Sequence, residues 1–325
     1  MERIALPATL DANAALRFAA ELPRTAPTTP VVIDFAALAE AEPFGLLLAG
    51  AALRAFFKTR PPGSFGADGV RNGDAAHERL AQLGFFQWLG LPVGHAPGSL
   101  DGDATWMPIT ILRREELETR MREALRPLGH VVQVESERFA RLLTQKNEMK
   151  VNAPLAYCFR EVIRNVFEHA ETDRCAICAQ RCRDGLVELA IVDAGRGIRS
   201  SLAEKHAIAD DAAALEHALR PGVSRNLSND PDDPWGNSGF GLYVLSELGR
   251  ELGTFRLVSG TAVLAVAKTE RNLNTSAFSG TAVQLCLRAP KGVNFADFIY
   301  AIVARGEAAG NIGKPVRASA STRLA

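Results

Sequence analysis

Glu161, Asn165 and His169 recur at four-residue intervals in one apolar-rich segment. On a helix, positions four apart advance by only about 40° around the axis, so these three polar groups share a stripe. Val162, Ile163, Val166 and Phe167 supply apolar faces on the rest of the same helix. An Asn inside a helix is mildly unfavourable, so three aligned polar groups ask for a reason. By itself the spacing suits a solvated face with two i,i+4 contacts equally well. A second group lies downstream, where Leu186 to Asp193 reads as a strand ending in an acid, followed by Ala194, Gly195, Arg196 and Gly197. An Asp at a strand end can accept a hydrogen bond from an exocyclic amine. Two glycines let the backbone turn tightly beside a flat ring. Alone, this string is a loop signature.

A third group, Gly236, Asn237, Ser238, Gly239, Phe240, Gly241 and Leu242, opens a helix expected over Leu242 to Leu252. Glycines ahead of a helix turn free N–H groups and the positive dipole end toward an anion, which suits a polyphosphate. A capped flexible loop would look the same. A dinucleotide fold is disfavoured, because no strand ends just before these glycines and no βαβ unit of the usual length surrounds them. Last comes Ser279-Gly280-Thr281, read as a turn entering a terminal strand. The Thr281 hydroxyl can reach a base or a structural water, and a Thr chosen for its strand propensity alone fits equally well. Ser259-Gly260-Thr261 repeats the triplet, read as the start of the preceding hairpin strand.

These four motifs, in this order over about 131–287, resemble the GHKL superfamily of Bergerat-fold ATP-binding domains. That group includes histidine-kinase catalytic domains, anti-sigma-factor kinases, gyrase-type ATPases and related chaperones. The resemblance implies Mg2+ coordination by Asn165, a general-base role for Glu161 in a hydrolysing branch, and adenine recognition by Asp193. It implies that Gly195 and Gly197 border the base and that Gly239 and Gly241 cradle phosphates, with Gly236, Leu242 and Thr281 also at the nucleotide. His169 matches a position that is often basic or polar in the kinase-like branches. Between the glycine motifs, Arg199 to Trp235 would form a lid over ATP. Within it Arg225 is either a contact to the γ-phosphate or an exposed loop arginine.

The elements that must position these residues fall into an α/β arrangement. The alternation over about 131–290 suits an α/β sandwich. Ahead of it, a strand near Arg3 to Leu6, a helix near Ala12 to Glu21 capped by Asp11, a strand at Val31 to Phe35 and an apolar helix from Phe44 to Lys58 form a compact unit. This part, 1–102, resembles a STAS-type domain, the fold of anti-sigma-factor antagonists. Pro43 and Phe44 stand where those antagonists carry a phosphorylatable Ser, so a phospho-switch is not expected there. Arg60 to Asp74 is rich in Pro and Gly and reads as a loop. A helix over Ala75 to Leu89 follows. The segment 103–130 reads as a connector with a strand at Ile109 to Leu112 and a helix over Arg114 to Leu125. After it His130 sits in a turn-like context. The segment 291–325 reads as a helix over Phe295 to Ala304 and a mobile polar tail from Gly306.

The 325 residues carry 37 Lys plus Arg against 37 Asp plus Glu, and this balance argues against bulk nucleic acid as the main partner. The N-terminus lacks the pattern of a signal peptide, and the apolar run Phe44 to Leu53 is too short to cross a bilayer. A cytoplasmic protein with reduced thiols is the expectation. Cys175, Cys178 and Cys182 are closely spaced but have no fourth ligand at an expected distance, and an ordinary strand is the favoured reading over zinc. The expected function is that of a regulatory protein that binds Mg-ATP and hydrolyses it slowly. The alternatives are an anti-sigma-type protein serine kinase and an ATP-sensing module without turnover. A regulatory protein partner is expected, and a homodimer stays open. A sensor histidine kinase fits least, for want of a dimerisation helix with a phosphoacceptor His.

Overall fold

The structure, a computed structural model, describes residues 1–99, 102, 105–144, 149–182, 184–223, 239–288, 294–310 and 318. It is mixed α/β, with parallel and antiparallel sheets. The N-terminal part contains β1 (Glu2–Ala5), β2 (Thr9–Leu10), α1 (Ala12–Glu21), β3 (Val31–Asp34), β4 (Glu40–Ala41), α2 (Pro43–Lys58), β5 (Phe65–Asp68), α3 (Ala75–Gln82) and α4 (Phe85–Trp88). β1, β3 and β5 pair in parallel in the order β1-β3-β5, with α1 and α2 as the crossovers. Asp11 caps α1 by accepting the Ala14 N–H at 2.7 Å. β5 corrects the reading of Arg60 to Asp74 as loop. All four of its residues are exposed, so no hydrophobic period marks it as a strand. The helix expected over Ala75 to Leu89 is broken at Gly84, whose φ of 82° is left-handed.

The remainder contains β6 (Trp106–Arg113), α5 (Arg114–Ala124), α6 (Leu128–Leu142), α7 (Met149–His169), β7 (Arg174–Arg181), β8 (Leu186–Asp193), α8 (Gly197–Leu202), α9 (Asp211–Ala218), α10 (Gly241–Leu252), β9 (Gly253–Ala267), β10 (Arg271–Arg288) and α11 (Phe295–Gly310). Five of these form one antiparallel sheet in the order β6-β7-β8-β10-β9. Segment 103–130, read as a connector, therefore supplies an edge strand of the sheet that carries the site. His130 lies in the first turn of α6 rather than in a turn-like context, and α11 continues through Gly306 to Gly310. The Ser279-Gly280-Thr281 triplet is an irregularity inside β10, and Ser259-Gly260-Thr261 lies within β9 rather than at its start.

Both faces of this sheet are covered. Val187, Leu189 and Ile191 of β8 join a core with α6, α7, α10 and α11, while Ala190 and Val192 join a core with α1, α2 and β3. A strand buried on both sides favours apolar residues on both faces, which accounts for the run Leu189 to Val192 before Asp193. α2 is likewise buried on all sides from Leu46 to Ala49, and this explains the apolar segment that is too short for a membrane. The polar centre of this junction is Glu188, whose Oε1 accepts the Phe44 N–H of α2 at 3.0 Å and the Gln284 Nε2 of β10 at 2.8 Å. Cys175 and Cys178 fall in the two different cores, so their thiols leave β7 on opposite faces and do not converge on one ion. Among the described residues no helix is long and apolar enough to cross a membrane.

Candidate nucleotide site

α7 forms the wall of a cleft against the end of β8. Its buried side, with Ile163 and Phe167, packs into the core and fixes the rotation of the helix, while Val162 and Val166 belong to both the core and the cleft wall. That rotation carries Asn165 and His169 to the cleft, where they meet Asp193, Gly197, Gly239, Leu242 and Thr281. The space between these residues, open solvent at its mouth included, is about 780 Å³. Its walls are mostly aliphatic, with Ile191 and Val283 at the base and Ile198, Leu202 and Leu242 at the sides.

Asp193 is 5% exposed at the end of β8. One carboxyl oxygen accepts the Gly195 N–H at 2.8 Å, and the Thr281 N–H also bonds to the carboxyl. Burial pushes its pKa up to about 7, and these two N–H donors offset only part of that rise. Neutral pH therefore sits on its titration. The Asn165 side-chain nitrogen is buried with no hydrogen-bond partner, a costly state that an incoming ligand can relieve. His169 stands 3.6 Å from Glu168 at the end of the same helix.

The glycines divide by role. A Cβ at Gly195 would lie 2.1 Å from the Ala170 carbonyl oxygen, so this glycine lets the loop pack on the end of α7 instead of lining the cleft. The Arg196 N–H donates to the same carbonyl at 2.9 Å. Gly197 and Gly239 do line the cleft, at φ of 76° and 70°. Gly241 opens α10 directly above α7, where a Cβ would lie 2.6 Å from Glu161 Oε2 and 3.9 Å from Asn165 Nδ2. Gly236 and Arg225 lie outside the described residues. The segment read as a lid contains α8 and α9 before residue 224.

Glu161 does not line the cleft. It is 4% exposed, and its Oε1 accepts Arg160 Nε at 3.1 Å and Arg160 Nη2 at 3.0 Å, with Arg164 Nη1 at 3.7 Å. The shared stripe thus holds for Asn165 and His169 facing the cleft, while Glu161 turns into an ionic cluster that also includes Glu168. Sequence reasoning missed Arg160 and Arg164, because arginines on an amphipathic helix ordinarily read as solvated. Ser259, 3% exposed, was also missed. Its position as one of two identical triplets was the only available signal.

No family model matches this chain, and neither a curated protein nor a solved structure matches it. The fold and site define a mixed α/β protein with a largely aliphatic cleft that ends on a buried carboxyl.

Proposed function

We propose that the cleft binds ATP with Mg2+ in the manner of a Bergerat site, in a regulatory protein whose N-terminal part is STAS-like. The observation that carries this reading is Asp193, a buried carboxyl that ends an aliphatic slot at its polar end. An adenine ring buries its faces in such a slot and offers its amino group to the carboxylate. Gly239 and the first turn of α10 lie at the Asn165 side, where the positive end of the helix dipole favours phosphates. Asn165 would hold a cation through its side-chain carbonyl oxygen, as a single neutral ligand to an ion that keeps several waters, while its unpartnered amide nitrogen is a donor suited to a phosphate or water oxygen. When bound, the ion would neutralise phosphate charge. This chain's own residues orient the base and the phosphates.

The same geometry favours slow turnover. Arg160 occupies one oxygen of Glu161, and Gly241 closes over the other. A general base must reach a water within hydrogen-bond distance of the reacting phosphate. The binding-module reading draws on this clamp, and the protein serine kinase reading stays as the second alternative.

Titration calorimetry with ATP, with and without Mg2+, tests the site, and γ-labelled ATP separates the outcomes. Asn165→Ala should weaken Mg-ATP by about tenfold or more while changing metal-free ATP less. Released phosphate that Glu161→Ala abolishes supports hydrolysis, and label retained on a protein supports a kinase. Binding without either product supports the sensor. Absence of adenine-nucleotide binding by the wild-type protein refutes the proposal.

A further inference from the structure

Asp193, Thr281 and Ser259 occupy one lateral row of the sheet. Thr281 of β10 pairs with Asp193 of β8 on one side and with Ser259 of β9 on the other. Asp193 and Thr281 line the cleft, and Ser259 does not. Its hydroxyl instead joins the two glycine turns that bracket the base end. Ser259 Oγ donates to the Gly280 carbonyl at 2.8 Å and accepts the Ile198 N–H at 3.0 Å. Gly197, at φ 76°, passes so close that a Cβ there would lie 2.9 Å from the same Oγ. Gly280, at φ 119°, is pressed against Asp193, since its Cβ would lie 2.2 Å from the Asp193 carbonyl oxygen.

The loop after Asp193 is therefore moored through three backbone N–H groups. Gly195 N–H is tied to the Asp193 carboxyl, Arg196 N–H to the Ala170 carbonyl, and Ile198 N–H to Ser259. Only the last of these reaches across to β9. It holds Gly197, Ile198, Ser201 and Leu202, which all face the cleft, at a set distance from Asp193 and Thr281.

We propose that Ser259 is a positioning residue that sets purine selectivity by fixing the Gly197–Ile198 wall against the base edge. This inference rests on the adenine-nucleotide reading of the cleft. A carboxylate accepts from the amino group of adenine and repels the carbonyl oxygen that guanine carries at the same position. That discrimination requires the ring to be held in one register, because a ring free to slide can turn another edge toward the carboxyl. Ser259→Ala leaves the half-buried Ile198 N–H and the buried Gly280 carbonyl without this partner, and the wall relaxes outward to rehydrate them.

Three variants test the role: Ser259→Ala, Ser259→Thr, which keeps the hydroxyl, and Ser136→Ala. Ser136 is a fully buried serine on α6 whose hydroxyl bonds to the Val132 carbonyl, outside the cleft. The readouts are ATP and GTP affinities by calorimetry and, without nucleotide, hydrogen exchange of the Ile198–Leu202 amides. Ser259→Ala is expected to weaken ATP by about tenfold or more, bring the ATP:GTP affinity ratio closer to one, and speed exchange of those amides. Ser259→Thr is expected to restore most of the ratio, and Ser136→Ala to leave the ratio at its wild-type value. A wild-type protein that binds neither nucleotide overturns the reading of the cleft and the selectivity role with it, while the exchange arm still reports on the mooring. Wild-type ATP binding with an unchanged ratio in Ser259→Ala overturns the role of Ser259 alone. Equal losses for ATP and GTP also overturn it, since they mark a merely structural hydroxyl.

Discussion

Replacing Glu188 by Gln should change how the stability of this protein depends on pH, by an amount the structure sets. Glu188 is 6% exposed on the face of β8 that meets the N-terminal layer. Burial pushes its carboxyl from an ordinary 4.5 up to about 7, against the N–H donors of Gln284 and Phe44 and the Arg256 guanidinium, with Glu42 adding to the rise. Cys178, Cys182 and Cys286 are the other titratable groups that face it. Below pH 4.5 the group is protonated both folded and unfolded, and it contributes no pH dependence. Between 4.5 and about 7 the unfolded chain releases its proton while the folded chain keeps it, so folding loses stability as pH rises. Above that window the loss levels off at roughly 3 kcal/mol, because each tenfold difference in proton affinity is worth about 1.4 kcal/mol. Gln cannot ionise and has nearly the same shape. The stability of Glu188→Gln minus that of wild type should therefore rise by roughly 3 kcal/mol from pH 4.5 to pH 8, with all other titrations cancelling. Urea unfolding at pH steps across this range measures it, followed by the fluorescence of Trp88 and Trp106, which belong to the core that the two layers share. A difference that is flat with pH, or one that grows toward acid, refutes the assignment of a protonated carboxyl at this junction.

Two further outcomes follow from the same geometry. The Asp193 carboxyl, raised to about 7 by burial, must be ionised to accept an amino group, so ATP affinity should increase between pH 6 and pH 8 with proton release on binding. Calorimetry in buffers of different ionisation heat detects that proton, and Asp193→Asn should bind without releasing it; proton uptake would contradict the role. Where α2 passes the end of β2, a Cβ on Gly45 would lie 1.9 Å from the Leu10 carbonyl oxygen, a backbone atom that cannot yield cheaply. Gly45→Ala should lose about 3 kcal/mol in urea unfolding, and an unchanged midpoint would refute this close approach.

Much of the architecture could be read without coordinates, and the gaps have physical causes. The helices around Ala12, Phe44 and Glu161 and the strand ending at Asp193 were legible, because each carries a cap or a hydrophobic run long enough to set its type. β5 was not, since a four-residue strand exposed along its length has no period to detect. β6 was legible as a strand, but its membership of the five-stranded sheet was not, because pairing partners some 70 residues apart leave no local trace.

The site shows the same division. The residue types and spacings of Asn165, His169, Asp193, Gly197, Gly239 and Thr281 were set by sequence alone, and they gather around one cleft. Only the tertiary structure turned Glu161 away into the hold of Arg160, since a helical spacing defines a stripe but not what packs across it. Only it placed Gly195 behind the loop, Ser259 beneath it, and the N-terminal layer on the back of the strand that ends in Asp193. Chain chemistry is local, whereas burial, hydrogen-bond satisfaction and shifted proton affinity depend on neighbours that arrive from distant parts of the sequence.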